Sequence, residues 1–327
     1  MGIDTSMKWL RIVASCLLIV WMVACGSRTS PPTPTPNQPL QPVTVGIMPI
    51  PDCVTIPIAT ARNYFKAEGL QVKTEIVQGG GAAIPSLKSG TLHFAIMNYT
   101  AAIVTEAEEP GTLRIVADAY QAAPNTFKLM VPNNSPIRGI TDLRGKRIAV
   151  ATLKSVSTLT TEAVLAIAGL TRKNVHFSKM PLTEMIAALE NGTVDAAWLT
   201  EPFITSYGTK FGGRTLHDVM SGQTEDWPIA GWAASAEYTK SHPREVAAFQ
   251  RAMQKAQLDA AEDRQLVASM LPNVIKIDAK TAGIISLGIF PIDLHPGRIQ
   301  RVADVMQEYD YIESHLDVGP ILLPRPA

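Results

Sequence analysis

The chain has 327 residues, 46% hydrophobic and 18% charged, a globular composition with enough material for two domains. Lys and Arg together number 29, and so do Asp and Glu, a balance that argues against nucleic acid as the main partner because such surfaces are normally basic. After residue 30 no apolar run is long enough to span a bilayer.

Lys8 and Arg11 open the chain with positive charge, and residues 12–24 form an uncharged apolar run of 13 residues, the length of a signal h-region. The run closes on Met22-Val23-Ala24-Cys25-Gly26-Ser27. This resembles the lipobox of bacterial lipoproteins, with Met22 in place of the usual leucine. The resemblance implies that Cys25 becomes a lipidated N-terminus anchored at an outer membrane face; a plain secretory signal is the alternative. Residues 26–42 hold six prolines in 17 positions and no apolar period, so they are expected as an extended, solvated linker. Cys16 and Cys25 fall in the signal, which leaves Cys53 alone in the body. No disulfide can form there, and Cys53 is expected as a small buried apolar residue.

Residues 43–48 read as a strand, followed by the rigid loop Pro49-Ile50-Pro51-Asp52-Cys53. A helix over 55–68, capped by Gly69, leads to a strand at 71–77, which makes a βαβ unit and a parallel sheet. Gly79-Gly80-Gly81 follows, either as an anion cradle of backbone N–H groups or as a flexible turn. It lacks the ending of a nucleotide-type phosphate loop. After a short helix at 82–87, residues 87–99 form a helix end, a turn and a strand at 93–97, with Asn98, Tyr99 and Thr100 at its polar end. A helix at 101–108, a strand at 113–119 and a further run at 127–131 precede a loop at 132–139, near which the first crossing between lobes is expected.

A strand at 148–152 then ends in Thr152, Lys154, Ser155, Ser157 and Thr158, ahead of a helix over 158–168. Hydroxyls at a strand end and a helix N-terminus suit an anion or polar ligand, although Ser157 or Thr158 could simply cap the helix. A strand at 175–179 and a helix at 182–189 lead into residues 189–203, where Asn191-Gly192 marks a helix end and an apolar strand stops at Thr200-Glu201-Pro202. This stretch aligns with residues 87–99 at an offset of 102, with four matches in 13. Strand-like runs at 43–47 and 147–151 precede the two copies by 44 and 42 residues, so two similarly built lobes are expected. Strands at 214–219 and 227–234 follow, the latter returning to the first lobe. A long amphipathic helix at 243–262 is expected to turn Val246, Phe249, Met253 and Leu258 inward, with further helices at 278–288 and 296–309. Lobe 1 is thus expected at 43–127 and 229–327, and lobe 2 at 128–228.

In order and spacing these elements resemble the solute-binding components of ABC importers, specifically the nitrate/sulfonate/taurine and thiamine-precursor group. The residues that carry the resemblance are 43–48, Glu68-Gly69-Leu70-Gln71-Val72, Leu87-Lys88-Ser89-Gly90-Thr91-Leu92, Asp142-Leu143-Arg144-Gly145-Lys146-Arg147 and Leu189-Glu190-Asn191-Gly192-Thr193-Val194-Asp195, ending in Glu201-Pro202. The resemblance implies a type II periplasmic-binding-protein fold: two α/β lobes, two crossings and a ligand in the cleft. It also implies a permease and an ATPase as partners, a monomer, and no cofactor. Carried over by position, ligand contacts fall on Pro49, Asp52, Gly80, Gly81, Asn98, Tyr99, Thr100, Thr152, Ser155, Ser157, Thr158, Thr200 and Glu201. Tyr99 departs from the small residues of relatives and could stack on a ligand or block the pocket. No arginine stands near Glu201; Arg62 and Lys154 are the nearest cationic candidates, and Glu201 would repel an anion.

Other functions have thinner support. The histidines His93, His176, His217, His242, His295 and His315 show no paired metal spacing, and His93 is expected to be structural. One class of relatives makes a thiamine pyrimidine with an iron-linked Cys and His cluster, which Cys53 alone cannot supply. An Asp195–Glu201 acid/base pair would fit a binding cleft as well as a catalyst. A sensory lipoprotein docking on a separate partner remains an alternative to transport.

Overall fold

The computed structural model describes residues 39–326, so the expected signal, Cys25 and the linker up to residue 38 lie outside the described residues. In chain order the strands are β1 (Gln41–Ile47), β2 (Leu70–Ile76), β3 (Phe94–Asn98), β4 (Leu113–Gln121), β5 (Phe127–Val131), β6 (Arg147–Val150), β7 (His176–Lys179), β8 (Ala196–Thr200), β9 (Arg214–Asp218) and β10 (Pro228–Ser235). They form two five-stranded sheets, ordered β2-β1-β3-β10-β4 and β7-β6-β8-β5-β9. In each sheet the first three strands run parallel and the fourth antiparallel. This is the two-lobed α/β architecture expected from the sequence. The related stretches at 87–99 and 189–203 deliver β3 and β8, which hold the same central place in their sheets.

The helices are α1 (Thr55–Ala61), α2 (Tyr64–Ala67), α3 (Gly80–Lys88), α4 (Tyr99–Glu108), α5 (Val156–Ile167), α6 (Leu182–Glu190), α7 (Phe203–Phe211), α8 (Ala236–Ser241), α9 (Pro243–Glu262), α10 (Arg264–Met270), α11 (Ala279–Ile284) and α12 (Pro296–Glu308). Gly192 takes the left-handed turn after α6 that its position demands, at φ 73°.

Several expectations shift. The single helix at 55–68 is broken between α1 and α2, where Asn63 sits at φ 57°, a conformation asparagine tolerates. Strand β1 starts at Gln41, inside the expected linker, because the Gln41 N–H finds the Gly69 carbonyl at 2.8 Å. The first crossing falls before the 132–139 loop, since β5 already belongs to the second sheet. Hydrophobic pattern marks a strand but not the sheet it joins. The helix expected at 278–288 ends at Ile284.

The first lobe is centred on α9. Val246, Phe249 and Met253 are buried as expected, but Leu258 is 42% exposed. Five residues past Met253 carry it about 140° round the helix, off the inner face. The Phe249 ring stacks on Phe94 at 3.9 Å between centroids, lies 5.8 Å from Phe65 and meets Trp232 edge-on at 6.1 Å. One side chain thus joins α2, β3, α9 and β10. Replacing Phe249 by Ala should cost about 3–5 kcal/mol, read from urea unfolding. A loss below about 1 kcal/mol would show that the ring is not central to the lobe.

Candidate functional site

Parallel strands leave their sheet at a common edge, and that edge is where open α/β sheets place ligands. In the first lobe β1 ends at the turn Pro51–Cys53, β2 at Gly79 and β3 at Asn98. In the second, β6 ends at Thr152–Ser155 and β8 at Thr200-Glu201. Contacts between the lobes join these edges at one point and the flanking helices at others. The Ser286 N–H donates to Glu201 Oε1 at 3.1 Å. Lys154 Nζ lies 3.1 Å from Glu108 Oε1 of α4, and the Tyr311 hydroxyl donates to Glu162 Oε1 of α5 at 2.8 Å.

The expected site residues behave differently from one another. Asp52 is 2% exposed, and its Oδ1 has no hydrogen-bond partner. Burial pushes its carboxyl up to about 7, opposed only by its own backbone N–H. Pro49 is half-buried beside it in the chain. Gly80 opens α3 so close to β3 that a Cβ would lie 2.7 Å from Met97 Cα, so its lack of a side chain serves packing. Gly81 has open space around its Cα. Asn98 caps α4, its Oδ1 accepting the Ala101 N–H at 2.8 Å. Tyr99 does not stand on the rim: it is 1% exposed, with its hydroxyl beside Asp118 and Arg298, and the first lobe's core takes up its ring. Thr100 is buried with Oγ1 unpartnered.

On the second lobe the hydroxyls bind one another. Ser155 Oγ and Ser157 Oγ donate to the Thr152 carbonyl at 3.0 and 3.2 Å. Thr158 Oγ1 accepts the Ser155 N–H at 3.1 Å and donates to the Ser155 carbonyl at 3.0 Å. Thr200 Oγ1 donates to the Thr126 carbonyl at 3.2 Å. Glu201 is buried, and its carboxylate accepts the Thr205 N–H at 3.0 Å and the Thr205 hydroxyl at 2.8 Å besides Ser286. The residue expected to select a ligand is therefore held by α7 and by the opposite lobe. Arg62 pairs with Asp259 at 3.6 Å and Lys154 with Glu108, so neither is a spare cation.

Sequence reasoning missed Thr55, Tyr120 and Ser286. Thr55, buried with Oγ1 unpartnered, begins α1 just after Asp52. Tyr120 was missed because the strand was read as ending at Ala119; β4 continues to Gln121 and carries the phenol to the same edge. Its hydroxyl accepts the Gly288 N–H, and burial, the Asp52 charge and the Glu201 charge all push its titration upward. Cys53 is fully buried near the Met48 N–H, and burial pushes its thiol up, which keeps it neutral. His93 accepts the Thr44 N–H on Nδ1 at 2.9 Å, the structural role expected of it.

A family model described as NMT1/THI5 like matches residues 50–265. The chain belongs to that family. Among relatives of this NMT1/THI5-like protein, a Bacillus subtilis (strain 168) protein assigned as an aliphatic sulfonates-binding protein is 26% identical over 273 residues, covering 80% of this chain and 79% of its own. Solved structures of the same fold include the alkanesulfonate-binding protein SsuA from Xanthomonas axonopodis pv. citri bound to MOPS, with TM-score 0.71, 17% identity and coverage of 88% of this chain and 99% of that one. The periplasmic nitrate-binding protein NrtA from Synechocystis PCC 6803 aligns with TM-score 0.71 and 14% identity over 86% of this chain and 85% of its own. The fold also serves chemistry: the desulfurization enzyme DSZB aligns with TM-score 0.64 and 15% identity over 87% and 96% of the two chains.

Two outcomes test this geometry. The raised Asp52 means that the folded protein binds this proton more tightly than the unfolded chain does. Its contribution to stability is complete below about pH 4 and is lost as pH rises through about 7. Buried Asp118, also raised to about 7 against the opposing charge of Arg298, adds to the same slope. Asp52→Asn should flatten the fall in urea midpoint across this window; an unchanged slope would refute the assignment. Separately, Glu201→Ala should lower the thermal midpoint through loss of about 1–3 kcal/mol, because three donors lose their acceptor. An unchanged midpoint would show that those bonds do not hold the lobes.

Proposed function

We propose that this protein is the extracytoplasmic solute-binding component of an ABC importer, capturing a small polar solute between its lobes and delivering it to a permease driven by an ATPase. The observation that carries this reading is the meeting of two like-built lobes at their parallel strand ends, with Asp52, Thr55 and Thr100 buried there and unpartnered. The binding proteins among its relatives and fold neighbours support it, and so does the signal-like pattern of charge and apolar residues at 8–24. Lobe 1 corresponds to about 43–127 with 229–327, and lobe 2 to 128–228, joined as one monomeric binding unit. Pro49, Gly81, Thr152 and Ser155, which line the strand ends, complete the contact surface.

An enzyme on this fold is the second reading, favoured by the alignment with DSZB. Against it stand the neutral, buried thiol of Cys53 and the structural bond of His93. Among the described residues, no three His, Cys, Asp or Glu side chains stand together as a metal site. No helix of the described residues is long and apolar enough to cross a membrane. A lipid on Cys25, at the end of the apolar run of residues 12–24, would hold the protein at a membrane face. Thermal-shift screening of the detergent-purified protein against sulfonates, nitrate, thiamine precursors and amines should show a stabilising solute. Silence across the whole screen together with hydrolysis of a test ester would favour the enzyme. Cys25→Ser should abolish labelling by a radioactive fatty acid and release the protein from the membrane fraction; retained label would exclude Cys25 as the lipid site.

A further inference from the structure

Beneath the strand-end edge of the first lobe three buried polar atoms are satisfied by no protein group, Asp52 Oδ1, Thr55 Oγ1 and Thr100 Oγ1, as is the hydroxyl of Tyr99, which turns into the lobe. The first three residues are 2%, 0% and 1% exposed, a burial at which polar atoms are almost always paired. They are also neighbours by construction. Asp52 and Thr55 follow β1 and Thr100 follows β3, and those two strands are hydrogen-bonded side by side, Val45 against Phe94 and Gly46 against Ala95. Across from them stands Glu201, at the end of β8. The phenol of Tyr120 feels the charges of both Asp52 and Glu201, so the two carboxyls approach it from opposite lobes.

Unpaired positive charge is scarce at this meeting point. Among the described residues Asp52 forms no ion pair, and what acts on its carboxyl is burial and its own backbone N–H. Arg264, which acts on Tyr120, turns its Nη2 to the Ile285 carbonyl at 2.8 Å, and Lys154 faces Glu108. Arg298 is engaged by Asp118 and Gln121. The serine hydroxyls of the second lobe donate to the Thr152 carbonyl. The free Thr55 and Thr100 hydroxyls could donate or accept, so the two carboxyls decide: an anionic head group entering here would meet both of them and no unpaired cationic side chain, whereas a cationic N–H group would find an unsatisfied acceptor in Asp52 Oδ1.

Resting on the solute-binding reading above, we infer that Asp52 determines specificity, taking the protonated nitrogen of a small organic ammonium solute with the Thr55 and Thr100 hydroxyls beside it. An ammonium hydrogen-bonded to Asp52 Oδ1 gives this carboxyl the partner the protein withholds, and it favours the ionised carboxylate that burial disfavours. Glu201 adds negative potential from the second lobe while its own oxygens stay bonded to Thr205 and Ser286.

Matched probes separate the charge from the rest of the ligand: ethanolamine against isethionate, and n-butylammonium against butanesulfonate. Each is titrated calorimetrically into the full chain in detergent. Binding is expected from the ammonium members and not from the sulfonates. Asp52→Asn should weaken it about tenfold or more while the thermal midpoint stays at or above that of the parent. Thr55→Val should weaken the same binding, and it carries the test if Asp52→Asn does not fold. Ammonium binding undiminished in both variants overturns the inference, and so does silence from both members of each pair. Binding of the sulfonates alone overturns it too but leaves the solute-binding reading standing. That reading fails separately, by silence across the wider screen.

Discussion

Parallel neighbours in a sheet must be joined by crossovers, and they end at one common edge. Here β2, β1 and β3 end together, and so do β7, β6 and β8. Each of these strands gives way to a turn and then a helix, so caps, prolines and hydroxyls collect at the two edges without any further design. The antiparallel fourth strand of each sheet, β10 or β5, is the one the chain reaches after crossing from the other lobe. The crossings therefore lie beside the edges they bring together, and Thr200 bonds directly to one of them through the Thr126 carbonyl.

At those edges two acidic side chains meet opposite fates. Glu201 has three donors, and its burial is that of a structural group. Asp52 has its own N–H and an oxygen that nothing answers. Burying a carboxyl without a counter-charge is costly, and folds retain it mainly where something else pairs with it. An acidic side chain is thus a fastener in the second lobe and an unpaired group in the first, and only partner geometry tells them apart.

That distinction explains what was legible beforehand. Helix-turn-strand units announce themselves through local chemistry: Asn191-Gly192 has to turn, and the run before Thr200 has to be buried. Strand ends followed by helices were therefore readable, and with them the positions of Asp52, Asn98, Ser155 and Glu201. The partners were not readable, because they come from far along the chain. Ser286 reaches Glu201 across 85 residues, and Gly288 reaches Tyr120 across 168. Tyr99 looked available because it follows a polar strand end, yet the first turn of α4 carries its ring into the lobe, by Asp118. Leu258 failed for a local reason, since one apolar residue off the repeat is enough to mislead a periodicity.

The strand order of the first sheet has a consequence for how the molecule is made. β10 lies between β3 and β4, although more than a hundred residues separate it from either. A chain that emerges N-terminus first delivers β1 to β4 while the slot between β3 and β4 is still empty. The second sheet draws all its strands from one continuous stretch and can close before β10 arrives. The lobe that begins the sequence is thus the last to be finished. Until then its half-built sheet presents two open edges, which makes the interval before β10 arrives the stage at which this chain is most exposed to mispairing.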